Sequence, residues 1–132
     1  MSHVVAIKLE VSDIDVLAAA VESLGCTFHR DQKQHRYWSG KMSPCEHAIS
    51  VPGTRYQIGV IKAKDASGKE TGGMTLAYDN YDGVTDKKLG RRLQSLNEEY
   101  VRRLAKKKLA RKGFRFREKR LDDGRLQLVA YK

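Results

Sequence analysis

The side chains with the clearest chemical potential lie between residues 26 and 47. Cys26-x-x-His29 and Cys45-x-His47 supply two thiols and two imidazoles, with His35 between them. Four such donors are the set that closes a tetrahedral zinc site. The Cys45-x-His47 spacing is a poor one for it. Simpler roles serve as well: Cys26 as a small buried residue after a helix, His29 and His35 on a polar hairpin. The zinc site is the weaker reading, and no metal or other cofactor is expected. Asp79, Asp82 and Asp86 form a spaced acidic trio, but the later glutamate of a calcium loop is missing, and turn and cap roles account for all three. Gly72-Gly73 with Lys69 lacks the spacing and ending of a phosphate loop. No Ser, His or Asp sits in a nucleophile elbow. The chain is expected not to be an enzyme.

The second chemistry is electrostatic. Residues 1–85 hold 9 Lys/Arg and 10 Asp/Glu, whereas residues 86–120 hold 15 Lys/Arg and 4 Asp/Glu. A surplus this local is the footprint of a polyanion partner. Leu89, Leu93, Leu96, Tyr100 and Leu104 repeat at helical spacing and predict one long helix over Thr85–Lys112, capped by Thr85 or Asp86 and ended by Gly113. At 100° per residue, Lys88, Arg91, Arg92, Arg102, Arg103 and Lys106 fall opposite that stripe. With Arg115 they are the candidate phosphate contacts. Glu98–Arg102 and Glu99–Arg103 are i,i+4 pairs that blunt the middle of this face. The two ends of the helix are therefore the better candidates. Lys107 and Arg111 occupy the angular positions of the next core residues, so the last two turns are expected to run past the core.

Each phosphate neutralised releases counterions, which gives affinity with strong salt dependence and little sequence reading. No helix-turn-helix, zinc-finger or RNP pattern adds specificity. The expected partner is a nucleic acid, DNA or RNA. The alternative is a regulatory accessory that docks its basic helix on an acidic protein. Tyr37 and Trp38 beside Arg36 are candidate base-stacking residues, with sheet packing as the simpler role.

These side chains need a scaffold. Val5, Ile7, Leu9 and Val11 alternate, which predicts a strand. Ile14, Leu17, Ala18, Val21 and Leu24 predict a helix begun at Ser12 or Asp13, with Ser12 and Asp15 as a weak capping box, and stopped by Gly25. A polar hairpin is expected over Cys26–Gly40, its strands near Thr27–Arg30 and Arg36–Trp38. Further strands are expected at Ile49–Val51, around Tyr56–Val60 and at Met74–Tyr78, with a loop over Asp65–Gly73 and a turn over Asp79–Gly83. Phe114–Lys119 and Arg125–Tyr131 flank the turn Asp122-Asp123-Gly124. On the alternation of a strand, Arg115 and Arg117 share one face and the two Phe the other. The economical packing is α+β: an antiparallel sheet with two helices on one face, the second long and basic, then a C-terminal β-hairpin.

A length of 132 residues suits one domain over 1–132. Hydrophobic residues at 40% and charged residues at 32% exclude a disordered chain. No apolar run reaches the length of a bilayer span, and no secretory leader is legible at the start. Two cysteines are too few for a disulfide scaffold. A cytoplasmic protein with no membrane partner is expected.

Met1-Ser2-His3, Ile7-Lys8, Asp13, Leu17 and Leu24-Gly25 resemble the start of a family of uncharacterised proteins encoded in algal plastids, cyanobacteria and bacteriophages. The resemblance continues in Tyr56-Gln57-Ile58-Gly59, Tyr78-Asp79, Gly113-Phe114 and Asp123-Gly124-Arg125-Leu126, and so covers nearly the whole chain. The stretches Lys41–Glu46 and Asp65–Gly73 depart from it, and the last helix is more basic. The family brings no established activity and no catalytic residues. The resemblance implies one intracellular α+β domain, and a phage origin would suit a small basic accessory protein.

Overall fold

A computed structural model describes residues 4–37, 41–79 and 82–132. β1 (Val4–Val11) forms one edge of a five-stranded antiparallel sheet. α1 (Ile14–Ser23) is capped by Asp13 rather than Ser12: Asp13 Oδ1 accepts from the Val16 amide at 3.1 Å. Its buried side is Val16, Leu17, Ala20 and Val21. Gly25, at φ 81°, turns the chain out of the helix in a conformation that strains any residue with a Cβ. α1 carries the chain from one sheet edge to the other, where β2 (Thr27–His29) lies. β3 (Gln34–Arg36) and β4 (Met42–Pro44) then form a hairpin of their own. β5 (His47–Ser50), β6 (Gln57–Lys64) and β7 (Glu70–Asp79) step back across the sheet, giving the order β1-β7-β6-β5-β2.

Two local expectations are corrected here. β2 does not form a hairpin with the next strand. It pairs with β5, Phe28 opposite Ile49, because that placement buries Phe28 against the core. Trp38 lies outside the described residues. The loop over Asp65–Gly73 is shorter than expected, since β7 begins at Glu70. Asp65 organises the remaining turn, its Oδ1 accepting from the Ser67 and Lys69 amides at 2.9 and 3.1 Å.

The long helix is broken. α2 (Val84–Leu89) leads through Gly90 into a 3-10 turn (Arg91–Leu93), and α3 (Gln94–Ala110) starts afresh. Gly90, Arg92 and Leu93 all have positive φ, at 82°, 55° and 59°. The α2 start is organised by Asp82, whose Oδ1 accepts from the Val84 amide, and not by Thr85 or Asp86. The leucine stripe nevertheless reaches its goal: Leu89, Leu93, Leu96 and Tyr100 are fully buried, and Leu104 packs against them. They meet α1 and the sheet residues Val11, Ile49, Ile58, Val60 and Leu76 in one core. Each such aliphatic side chain contributes about 1.5–3 kcal/mol on burial.

The opposite face of the sheet is built from small residues, Ala48, Gly59 and Ala77 lying side by side in register. The β3–β4 hairpin covers part of it, with the His35 ring laid on Gly59. β8 (Arg115–Arg120) and β9 (Leu126–Tyr131) form the C-terminal hairpin, Arg115 opposite Tyr131. The fold is thus α+β, an antiparallel sheet with helices on one face and a long basic helix followed by a hairpin. Among the described residues no helix is long and apolar enough to cross a membrane.

Candidate nucleic-acid interface

The break at Gly90 removes the geometry that placed six cations on one helical face. Lys88 belongs to α2, Arg91 and Arg92 to the 3-10 turn, and only Arg102, Arg103 and Lys106 to α3. The shared angular sector is therefore corrected to two separate groups, because left-handed Arg92 and Leu93 reset the direction of the chain between them.

The α3 group is bound to acids of the same chain. Glu99 accepts from Arg102 at 2.5 Å and from Arg103 at 2.7 Å. Glu118, reaching over from β8, accepts from Arg102 at 2.5 Å and from Lys106. Arg102 retains 18% of its side-chain exposure. Burial alone would raise the Glu99 carboxyl, but the two guanidinium hydrogen bonds outweigh it and hold Glu99 below the ordinary range. The Lys106 hydrogen bond does the same to Glu118, helped by Arg102. The Glu99 bond in turn raises the Arg102 guanidinium. Glu98 does not pair with Arg102 as its spacing suggested. It takes Arg120 of β8 at 3.1 Å. Lys107, at the next turn, meets Asp13 at 2.6 Å, so this part of α3 is docked on α1 rather than running past the core. Closely paired cations of this kind hold the fold together and are poorly available to a phosphate.

The remaining basic residues differ. Lys87, Lys88 and Arg91 on one side of the break, and Lys108, Arg111 and Lys112 at the end of α3, are exposed and form no ion pair with any described residue. Arg92 is exposed beside them. The chain leaves α3 with the Phe114 amide donating to the Leu109 carbonyl at 3.1 Å, and the ribbon follows at once.

The ribbon has two unlike faces because its side chains alternate. Phe116, Glu118 and Arg120 share the inner face with Leu128 and Ala130, and Glu118 and Arg120 join it to α3. Arg115, Arg117 and Lys119 share the outer face, paired across the strands with Tyr131, Val129 and Gln127. All six outer residues are exposed, Val129 at 43% and Tyr131 at 42%. The Arg117 guanidinium stands 5.7 Å from the centre of the Tyr131 ring, within cation–π reach. Sequence reading put Arg115 and Arg117 on one strand face but took only Arg115 as a contact, and it missed Lys119 and Tyr131 as part of the same surface. The signal was present: once the turn at Asp122–Gly124 is placed, alternation alone puts these residues opposite one another.

The other candidates are occupied by structural roles. Cys26 is buried in the core, and burial raises its thiol. Cys45 donates to the Gln32 carbonyl at 3.1 Å. His29 Nε2 bonds Ser50 Oγ at 2.7 Å, and His47 Nδ1 accepts from the Asp31 amide at 3.0 Å. No group of three or more His, Cys, Asp or Glu close enough to hold a metal occurs among the described residues. Asp82 takes Thr54 Oγ1 as well as its turn amide, Asp86 takes the Tyr78 hydroxyl, and Asp79 is buried. Tyr37 lies beside His35 with the two rings tilted by 42° and their centres 6.3 Å apart. Trp38 lies outside the described residues. No family model, curated protein or solved structure matches the chain.

Proposed function

We propose that this protein binds a nucleic acid through the C-terminal part of the chain, using cations that its own acids leave unpaired. The observation that carries the reading is a sorting of charge. Between Lys106 and Arg120 the single acid, Glu118, faces inward onto Arg102 and Lys106. Lys108, Arg111, Lys112, Arg115, Arg117 and Lys119 are left exposed without an ion pair to a described residue. Cations held in this way track phosphates without reading sequence. Lys88 and Arg91 form a second exposed group without an ion pair to a described residue, with Arg92 exposed beside them, whereas Arg102, Arg103 and Lys106 act as supports. No catalysis is assigned. Kinship with the plastid, cyanobacterial and phage family belongs to the same proposal.

The test is binding of a labelled mixed-sequence oligonucleotide across a salt series, after nuclease treatment of the purified protein. Affinity should fall steeply as salt rises. The double variant Arg111→Glu, Lys112→Glu should bind more weakly, with a log–log salt slope shallower by about 2. An absence of binding at low salt would overturn the reading. Recovery of one acidic protein in fixed proportion, resistant to nuclease, would replace it with a protein-docking role.

A further inference from the structure

Building on that reading, we infer that the outer face of the β8–β9 ribbon takes single-stranded nucleic acid, with Tyr131 and Val129 against the bases and Arg115, Arg117 and Lys119 along the phosphates. The two strands of the ribbon offer different chemistry on this face. β8 presents only cations, at intervals of roughly 6.7 Å for alternate residues of a strand. β9, about 4.8 Å to the side, presents Gln127, Val129 and Tyr131. A cationic track beside an apolar and aromatic one is the complement of a strand whose phosphates and bases lie side by side.

A duplex does not have that form. Its base faces are stacked inside, so even in the major groove, which admits a two-stranded ribbon, Tyr131 would meet base edges and find no ring face to stack on. An acidic protein surface would likewise satisfy the cations and give the ring nothing to stack on. Unstacked bases supply the missing surface, because every base has a π face. Val129 and Tyr131 stay nearly half exposed. The Arg117 contact braces the Tyr131 ring from the cationic side. Glu118, the one acid of β8, is turned to the opposite face, so neither strand sets an acidic side chain on the outer one.

The experiment measures anisotropy of one labelled oligonucleotide, single-stranded and annealed to its complement, with native protein and with Tyr131→Ser and Tyr131→Phe. The single strand should bind more tightly than the duplex. Tyr131→Ser should weaken the single strand about fivefold or more and leave the duplex nearly unchanged. Its salt slope should match that of the native protein, since no charge is removed. Tyr131→Phe should keep native affinity, which controls for any loosening of the ribbon. Equal binding of both forms, or indifference of the single strand to Tyr131→Ser, overturns this inference and leaves polyanion binding standing. Binding of poly-glutamate as tightly as the single strand also overturns it. Failure of native protein to bind either form at low salt removes the broader proposal together with this one.

Discussion

Lys107 Nζ lies 2.6 Å from Asp13 Oδ2, joining residues 94 positions apart in the chain. The contact does more than pair two charges. The other oxygen of Asp13 caps α1, so the carboxylate that begins one helix is held by the last turns of another. Two turns earlier on α3, the Tyr100 hydroxyl accepts from the Ser12 and Asp13 amides at 3.0 and 3.2 Å. Amides at a helix start have no partner within the helix. Here they are satisfied by α3, which makes α1–α3 docking a condition of a well-capped α1.

Tyr100→Phe keeps the ring and strands those two amides. The expected loss is about 1–3 kcal/mol of unfolding free energy, read by urea denaturation. Asp13→Ala removes the cap and the Lys107 contact and should cost about 1–2 kcal/mol. The Lys107 hydrogen bond holds the Asp13 carboxyl below its ordinary value of 3.8, against the opposing effect of burial. A carboxyl lowered in the folded state contributes stability above its unfolded pKa and loses it as pH falls through 3.8 and below. Asp13→Asn should therefore lose less stability than the native protein on acidification. If both lose the same amount over that range, the contact has no weight.

The His35 ring rests on Gly59, where an added methyl would come within 2.5 Å of Nε2 and 2.9 Å of Cγ. Gly59→Ala should lift the β3–β4 hairpin off the sheet, at a cost of about 1–3 kcal/mol. Loss of amide protection confined to β3 and β4 would mark the site of damage. Unchanged protection there would refute the packing. His35 Nδ1 donates to the Gln57 carbonyl at 3.3 Å, so that nitrogen carries a proton. Burial lowers its pKa below 6.5, partly offset by the Gln57 bond. The unfolded chain then binds the proton first. Stability should be complete above pH 6.5 and decline as pH falls below it, levelling off under the folded pKa. Burial lowers His47 in the same direction, so His35→Gln should remove part of the decline and not all of it.

Gly90 is the pivot of the helix break, at φ 82° and ψ 157°. That region is essentially closed to residues with a Cβ, and an added methyl would also stand 3.1 Å from Ser95 Oγ. Gly90→Ala should destabilise by about 1–3 kcal/mol. The alternative outcome is informative: a gain in helicity without loss of stability would mean that α2 and α3 can fuse, and that the break is optional.

Much of this architecture was legible because its signals are local. The leucine stripe, the Gly25 stop and the Asp122–Gly124 turn each depend on a few neighbouring residues. The helix break was not legible, because Leu89 and Leu93 keep helical spacing across it and a lone Gly90 is tolerated in many helices. The partner of β2 was hidden for another reason: Thr27–His29 and Gln34–Arg36 are close in sequence, but the burial of Phe28 selects β5. Gly72 and Gly73 read as loop because glycine pairs often are. Gly73 instead lies inside β7, where Glu10 of the neighbouring strand crowds the position that a Cβ would take. At the candidate interface, the Glu99–Arg103 pair was legible from its i,i+4 spacing, but partners distant in sequence were not. Only tertiary structure separates Arg102 and Lys106, tied to Glu118 of β8, from Arg117, which faces outward.

Among the described residues, the ribbon contributes no side chain to the main core, and its most extensive contact beyond its own two strands is with α3. Ion pairs from Glu118 and Arg120 tie it to α3. A unit held in this manner opens on its own before the sheet does, as a separate cooperative step in hydrogen exchange. Added electrolyte screens the contacts that close it, so the ribbon is the first part of the molecule to respond to its ionic surroundings.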